Sequence, residues 1–210
     1  FPILWTLRTS FATEVVAYQP KIIFKPTVSN YTRLFLEKDF ARYFLNSLVV
    51  SLSVTLISVA LSAPGAYAIA RYKPGGSITR FLILSTDLLP PVILIVPLFI
   101  IFKNFGLVNS LPGLSLSYLA FNIPFVLWML ISFFEGVPKS LEEAALIDGA
   151  SRFQAFVRIV FPLAAPGILA AAIFSFIVSW NEFLFALVLN SGKTSTFPVA
   201  LAALQTSGGV

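Results

Sequence analysis

YFLNSLVVSLSVTLISVALSAPGAYAIA, Tyr43–Ala70, runs for 28 residues without a charge. As a helix it would rise about 42 Å, and about 20 residues suffice to cross the core of a bilayer. Its flanks are basic, Arg42 before and Arg71 after. A soluble helix of this length would show a charged face, and none is present here. The stretch is read as a membrane span, and the question becomes whether the rest of the chain has the same character.

It does. Of 210 residues, 58% are hydrophobic and 11% charged, with a mean hydropathy of +0.91. Soluble domains carry about 25% charged residues. There is no cysteine and no histidine, which excludes a disulfide framework and the usual zinc sites and removes the commonest general base. No metal ligand set and no catalytic residue is expected. The net charge of +5 suits basic loops beside a membrane and gives no nucleic-acid signal.

Working outward, Arg71–Arg80 (RYKPGGSITR) turns the chain, with Pro74, Gly75 and Gly76 as breakers. Phe81–Phe102 is a second span, carrying Asp87 and three prolines, Pro90, Pro91 and Pro97. Prolines within a span imply packing among other helices, which re-satisfy the freed backbone groups. Asp87 lies six residues from the start of this span, which favours an interfacial or intersubunit role. The uncharged run 104–134 opens with the turn Asn109–Gly113 and predicts a third span, Leu114–Phe134. The fourth runs over about Ala164–Leu189. Phe1–Leu7 reads as the tail of another span, since it lacks the basic start of a signal peptide. The expected fold is an all-α membrane protein, a polytopic helical bundle in one domain, 1–210, with four complete spans plus a truncated first one, the last span missing.

Lys/Arg asymmetry orients it. Arg71, Lys73, Arg80, Lys139, Arg152 and Arg158 fall in two loops on one side, and Lys103 and Lys193 in the short loops opposite. The first set is expected to be cytoplasmic. Residues 8–42 oppose that count with six cations of their own and are read as an extracytoplasmic loop ending in an amphipathic run.

The loop 135–162 is different from everything else in the chain. Within it, SLEEAALIDGASRFQAFVRIVFP (Ser140–Pro162) carries two helix-start patterns. Ser140 with Glu143, and Ser151 with Gln154, each have capping-box spacing. Leu141, Ala144 and Ala145 would share one face of the first helix, and Gly149 would end it in a left-handed conformation. Phe153, Phe156, Val157 and Val160 would form the apolar stripe of the second, which Pro162 terminates. Helices this short are marginal alone and need a partner to pack on. The picture is a stiff knob with small alanines and the carboxylates of Glu142, Glu143 and Asp148 offered to a basic rim. Glu143 has a structural reading, capping its own helix, beside the partner contact; Glu142 is expected to face the partner.

Glu143-Ala144-Ala145, then Gly149, then Ile159 and Pro162 resemble the signature loop of permease subunits of bacterial ATP-binding-cassette importers. Phe161 stands where that family usually has Leu. RYFLNSLVVS (Arg42–Ser51), AYAIARY (Ala66–Tyr72), LLPPVILIVPLF (Leu88–Phe99), SWNEFLFAL (Ser179–Leu187) and TFPVALAALQ (Thr196–Gln205) are similar to the maltose-type permease of the carbohydrate branch. The resemblance implies a type I ABC importer permease fold in the bacterial inner membrane. It implies two ABC ATPase subunits, a second permease subunit, and an extracytoplasmic solute-binding protein. ATP and magnesium would be held by the ATPases, and this chain would be a non-catalytic permease carrying sugars. No phosphate-cradling glycine loop with Lys-Ser/Thr occurs in it.

Trp180, Asn181, Glu182 and Phe183, near the outer end of the fourth span, are candidates for pathway or binding-protein contact. Their structural readings are a capped helix end for Asn181 and Glu182, and interfacial anchoring for the aromatics. Two rivals remain: the same machine carrying a polyamine or glycerol phosphate, and a secondary transporter. The second would need ionisable residues deep in several spans, which this chain lacks.

Overall fold

A computed structural model describes residues 2–19, 23–37 and 39–207, and it is helical with no strand among them. The main helices are α1 (Pro2–Ser10), α2 (Phe40–Tyr72), α3 (Gly76–Leu88), α4 (Val92–Asn104), α5 (Leu111–Gly136), α6 (Lys139–Ile147), α7 (Arg152–Leu163), α8 (Ala165–Asn181), α9 (Leu184–Leu189) and α10 (Phe197–Ser207). The expected all-α bundle is observed.

The quoted stretch lies inside α2, which is the centre of the bundle. Its buried face is small and weakly polar: Ser47, Ser51, Thr55, Ser58, Ser62, Ala63 and Ala66. Its large residues Leu45, Val49, Leu52, Leu56 and Leu61 point outward. A soluble helix does the reverse. In a bilayer the lipid is as apolar as leucine, so helix association rests on close backbone approach, which small side chains permit. Packed on that face are α5 and α8, which also pack on one another; α3 lies against α5, and α9 against α4 and α5.

Two apolar clusters fill this bundle. One, at the end where α2 finishes, holds Tyr67, Leu130, Phe134, Val160 and Ile168. The other, at the opposite end, holds Val50, Ile95, Leu114, Tyr118 and Phe185. Between them Ser175 Oγ donates to Asn122 Oδ1 at 2.8 Å, and Ser62 Oγ donates to the Ile123 carbonyl at 3.2 Å, so polar side chains deep in the bundle bond across helices.

The spans differ in detail from the sequence reading. Among the described residues, α2 and α5 are each long and apolar enough to cross a bilayer unaided. The third span starts at Leu111 rather than Leu114, because Ser110 caps it from the Gly113 amide at 3.1 Å and Pro112 sits harmlessly in the first turn. The second span is two helices, α3 and α4, parted at Leu89–Pro91. Consecutive prolines withhold two amides there, and the residue before a proline avoids the helical region; Leu89 has ψ 127°. The side chain of Asp87 lies outside what the structure describes. The fourth span is also divided, into α8 and α9 at Glu182 and Phe183. The pair α7–α8 reaches spanning length only as one segment bent by 73° at Ala164.

In the 8–42 region the chain folds back on itself. Asn30 Nδ2 donates to the carbonyls of Ser10 and Ala12, and the Thr27 amide to that of Phe11 at 2.8 Å.

Candidate functional site: the capped knob and its anchor

The knob consists of α6 and α7. Pro138 precedes α6 with φ −57°, already the value a helix needs, so the helix begins at Lys139. Ser140 therefore falls inside the first turn instead of before it, and the expected Ser140–Glu143 capping box does not form. At the other end the expectation holds. Gly149 has φ +88°. Its amide donates to the Leu146 carbonyl at 3.1 Å, and the Ala150 amide donates to that of Ala145 at 3.0 Å. These two bonds make a complete Schellman stop. Ser151 then starts α7 with a reciprocal capping box, Gln154 amide to Ser151 Oγ at 3.2 Å and Ser151 amide to Gln154 Oε1 at 2.8 Å.

Which face of α6 points outward is a correction to the sequence reading. Glu142 is buried, not presented. Arg71 Nε lies 2.8 Å from Glu142 Oε2, with both side chains below one-tenth exposed. The Tyr67 hydroxyl donates to Glu142 Oε1. Arg71 Nη2 also donates to the Val137 carbonyl, at 3.0 Å, in the corner between α5 and α6. Tyr67 and Arg71 are four residues apart on α2, one above the other on one face, so they grip the carboxylate from two positions. Ala145, three residues after Glu142, is buried on the same side.

The outer face carries Leu141, Glu143, Ala144, Ile147 and Asp148, and Ile147 is 86% exposed. Leu141 and Ala145 share one side of the helix, as expected, but Leu141 lies at its edge and is exposed while Ala145 is buried. The exposed isoleucine stands beside two exposed carboxylates, Glu143 and Asp148.

α7 holds the knob to the bundle. Phe156 meets Tyr67 at 4.6 Å between ring centroids, and Val160 is fully buried. Phe153 and Val157, assigned to the same stripe, are exposed instead; they border an apolar groove that Leu56, Pro64 and Phe161 complete. Residues 156–160 form a π-turn, in which the Phe161 amide bonds back to the Phe156 carbonyl. Pro162, which has no amide to give, follows directly and favours that wider turn. Ile159 is half-buried and Pro162 exposed. Arg152 Nη1 donates to the Tyr72 hydroxyl at 2.6 Å, and the exposed pair Arg80–Glu135 joins the start of α3 to the end of α5.

The four candidates at the opposite end make contacts within the bundle. The Trp180 ring packs edge-on to Phe44 at 5.2 Å and stacks with Phe176 at 5.7 Å. Asn181 Nδ2 donates to the Ile177 carbonyl of its own helix. Glu182 accepts from the amides of Phe185 and Ala186 at 2.9 and 3.2 Å, which starts α9, and Phe183 is half-buried at the break.

Sequence reasoning missed Tyr67, Arg71 and Asn46. The first two had a signal: a tyrosine and an arginine at helical spacing where an uncharged span ends. Asn46 Nδ2 donates to the carbonyls of Lys193 and Ser195, at 3.0 and 2.8 Å, a pairing 147 and 149 residues apart that no local pattern announces.

Residues 57–209, which take in the whole knob, match the family described as binding-protein-dependent transport system inner membrane component. The chain belongs to that family. A diacetylchitobiose uptake system permease protein of Streptomyces coelicolor is 39% identical over 91% of this chain and 65% of its own length. A trehalose/maltose transport system permease protein of Thermococcus litoralis is 35% identical over 98% of this chain and 76% of its own. A chain in the crystal structure of a bacterial ABC transporter involved in the import of the acidic polysaccharide alginate superposes with a TM-score of 0.78. It is 25% identical, over 98% of this chain and 73% of that one. The protein is a multi-pass inner-membrane permease component of an ABC transport system.

Proposed function

We propose that this chain is the membrane-spanning subunit of an ATP-driven importer of sugars or oligosaccharides, and that the knob couples it to its ATPase. Its partners are two ATPase subunits, which hold the ATP and magnesium, a second permease, and an extracytoplasmic binding protein that delivers the solute. The knob loop, 135–162, lies in the cytoplasm, and the 8–42 segment outside. The observation that carries this reading is the outward face of α6. A nine-residue helix would not persist alone in water. Here it is stopped by a Schellman motif, anchored through Glu142, and left with Leu141, Glu143, Ala144, Ile147 and Asp148 free to enter a partner's cleft. Sugar as cargo is supported by the relatives, whose names specify diacetylchitobiose and trehalose or maltose.

The test is co-purification of the full-length chain with its ATPase and second permease, followed by solute uptake in proteoliposomes. Glu143→Lys combined with Ile147→Glu is expected to leave membrane insertion intact and abolish both ATPase association and uptake. Normal uptake by that variant would overturn the docking role. Sugars are expected to stimulate ATP hydrolysis through the binding protein; stimulation by a polyamine or glycerol phosphate instead would move the reading to another polar solute.

A further inference from the structure

The Glu142 anchor has features that holding a loop in place does not require. A buried ion pair contributes little net stability beyond what apolar packing in the same space would give. What it does supply is geometry. Both carboxylate oxygens are engaged, Oε1 by the Tyr67 hydroxyl and Oε2 by Arg71 Nε at 2.8 Å. Arg71 is in turn tied to the Val137 carbonyl at 3.0 Å. α6 therefore has a fixed position and angle relative to the last turn of α2.

α2 then continues as one helix for 33 residues, through Pro64, where Ala63 and Ala66 pack in the same core cluster as Val126 and Leu130 of α5. Its far end is tied as well, by neutral hydrogen bonds. Asn46 Nδ2 holds the carbonyls of Lys193 and Ser195, and Ser47 Oγ accepts from the Phe197 amide at 2.8 Å, at the start of α10. From Arg71 to Asn46 is about 38 Å of helix rise. Side-chain bonds thus join the knob to one end of a long helix and the loop 193–197 to the other.

We propose that Arg71, Glu142 and Tyr67 form a joint through which displacement of the knob is passed to α2, and that Asn46 and Ser47 deliver it to the loop 193–197 on the opposite side of the membrane. Glu142 and Arg71 are then positioning residues. They act through α2, and they are distinct from the outward residues that meet the ATPase. The proposal rests on the importer reading above.

The chain has no cysteine, so one introduced at the exposed Lys193 reports on the loop alone. In the assembled transporter, with ATPase, second permease and binding protein, the labelling rate of Lys193→Cys is measured without nucleotide and with the ATPase trapped by vanadate. In the parent the rate changes on trapping. Glu142→Gln keeps the shape and an acceptor but removes the charge. It is expected to co-purify with the ATPase yet shrink that change at least about fivefold, the lower end of ordinary allosteric coupling, and to reduce the ratio of stimulated to unstimulated hydrolysis alike. Asn46→Ala, which touches neither knob nor joint, is expected to do the same. Undiminished nucleotide response in either variant, or none in the parent, overturns the proposal. So does failure of Glu142→Gln to assemble, since the pair would then be structural only. Failure of the parent itself to co-purify with an ATPase would sink the importer reading, which is a separate outcome.

Discussion

At Gly167, the third residue of α8, adding a single methyl group should be strongly felt. A Cβ built on it overlaps the Phe133 side chain of α5 at Cβ, Cγ and Cδ1. Because Phe133 Cβ and Cγ are themselves in the overlap, turning the ring about its own axis cannot clear it. Either Phe133 leaves its rotamer or α5 and α8 move apart. Over-packing of this kind costs about 1–3 kcal/mol. At about 2 kcal/mol the melting temperature of a chain of this size falls by about 4–8 °C. The internal control is Gly65, where an added Cβ meets only the flexible end of Leu127, at 3.0 Å. Gly167→Ala and Gly65→Ala are compared by thermal unfolding of the detergent-purified protein, read by fluorescence-detected size exclusion. Gly167→Ala should melt well below the parent and Gly65→Ala close to it. Adding Phe133→Ala to Gly167→Ala should recover most of the difference relative to Phe133→Ala alone. A parent-like Gly167→Ala, or a loss that truncating Phe133 leaves unrelieved, would refute close α5–α8 approach as the reason for the glycine.

Three further outcomes are expected. Gly149→Ala meets no neighbour but must hold φ +88°, so its cost is conformational, about 1–2 kcal/mol, and amide exchange should quicken across residues 145–155. Glu182→Ala removes the acceptor of the Phe185 and Ala186 amides, about 1 kcal/mol of helix start, and should speed exchange at those two positions while sparing α8. Glu142→Lys sets a second cation beside buried Arg71 and leaves it unpaired, costing about 3–5 kcal/mol; membrane yield should drop sharply, whereas the exposed Glu143→Lys should accumulate normally.

The contrast between Glu142 and Glu143 shows where reading residues in order stops being informative. Both are carboxylates one position apart in a polar loop, and spacing favoured the first as the partner-facing one. A step of one residue turns a helix by about 100°, so neighbouring carboxylates can meet different surroundings. Which one faces the bundle depends on where α6 begins, and Pro138 began it one residue before Ser140. Stops and starts written into one or two residues were legible: Gly149 as a left-handed stop, Ser151–Gln154 as a cap, the chain turn around Pro74 and Gly75. Breaks inside apolar runs were harder. Leu89–Pro91 and Glu182–Phe183 interrupt stretches that by hydropathy alone look continuous.

The amino-acid order by itself determined a helical membrane protein with one polar, double-helix knob, whose motif resembles that of ABC permeases. Charge-free runs of spanning length and local capping chemistry are properties of neighbouring residues and need no fold to be recognised. Tertiary structure alone decided which carboxylate is anchored and which is offered, and that the anchor lies on the same helix that holds the loop at the opposite end. Those facts depend on contacts between residues 71 positions apart, as Arg71 and Glu142 are, or 149, as Asn46 and Ser195 are. Such pairs come together only when packing of the small-residue face of α2 has set the relative height and rotation of the helices.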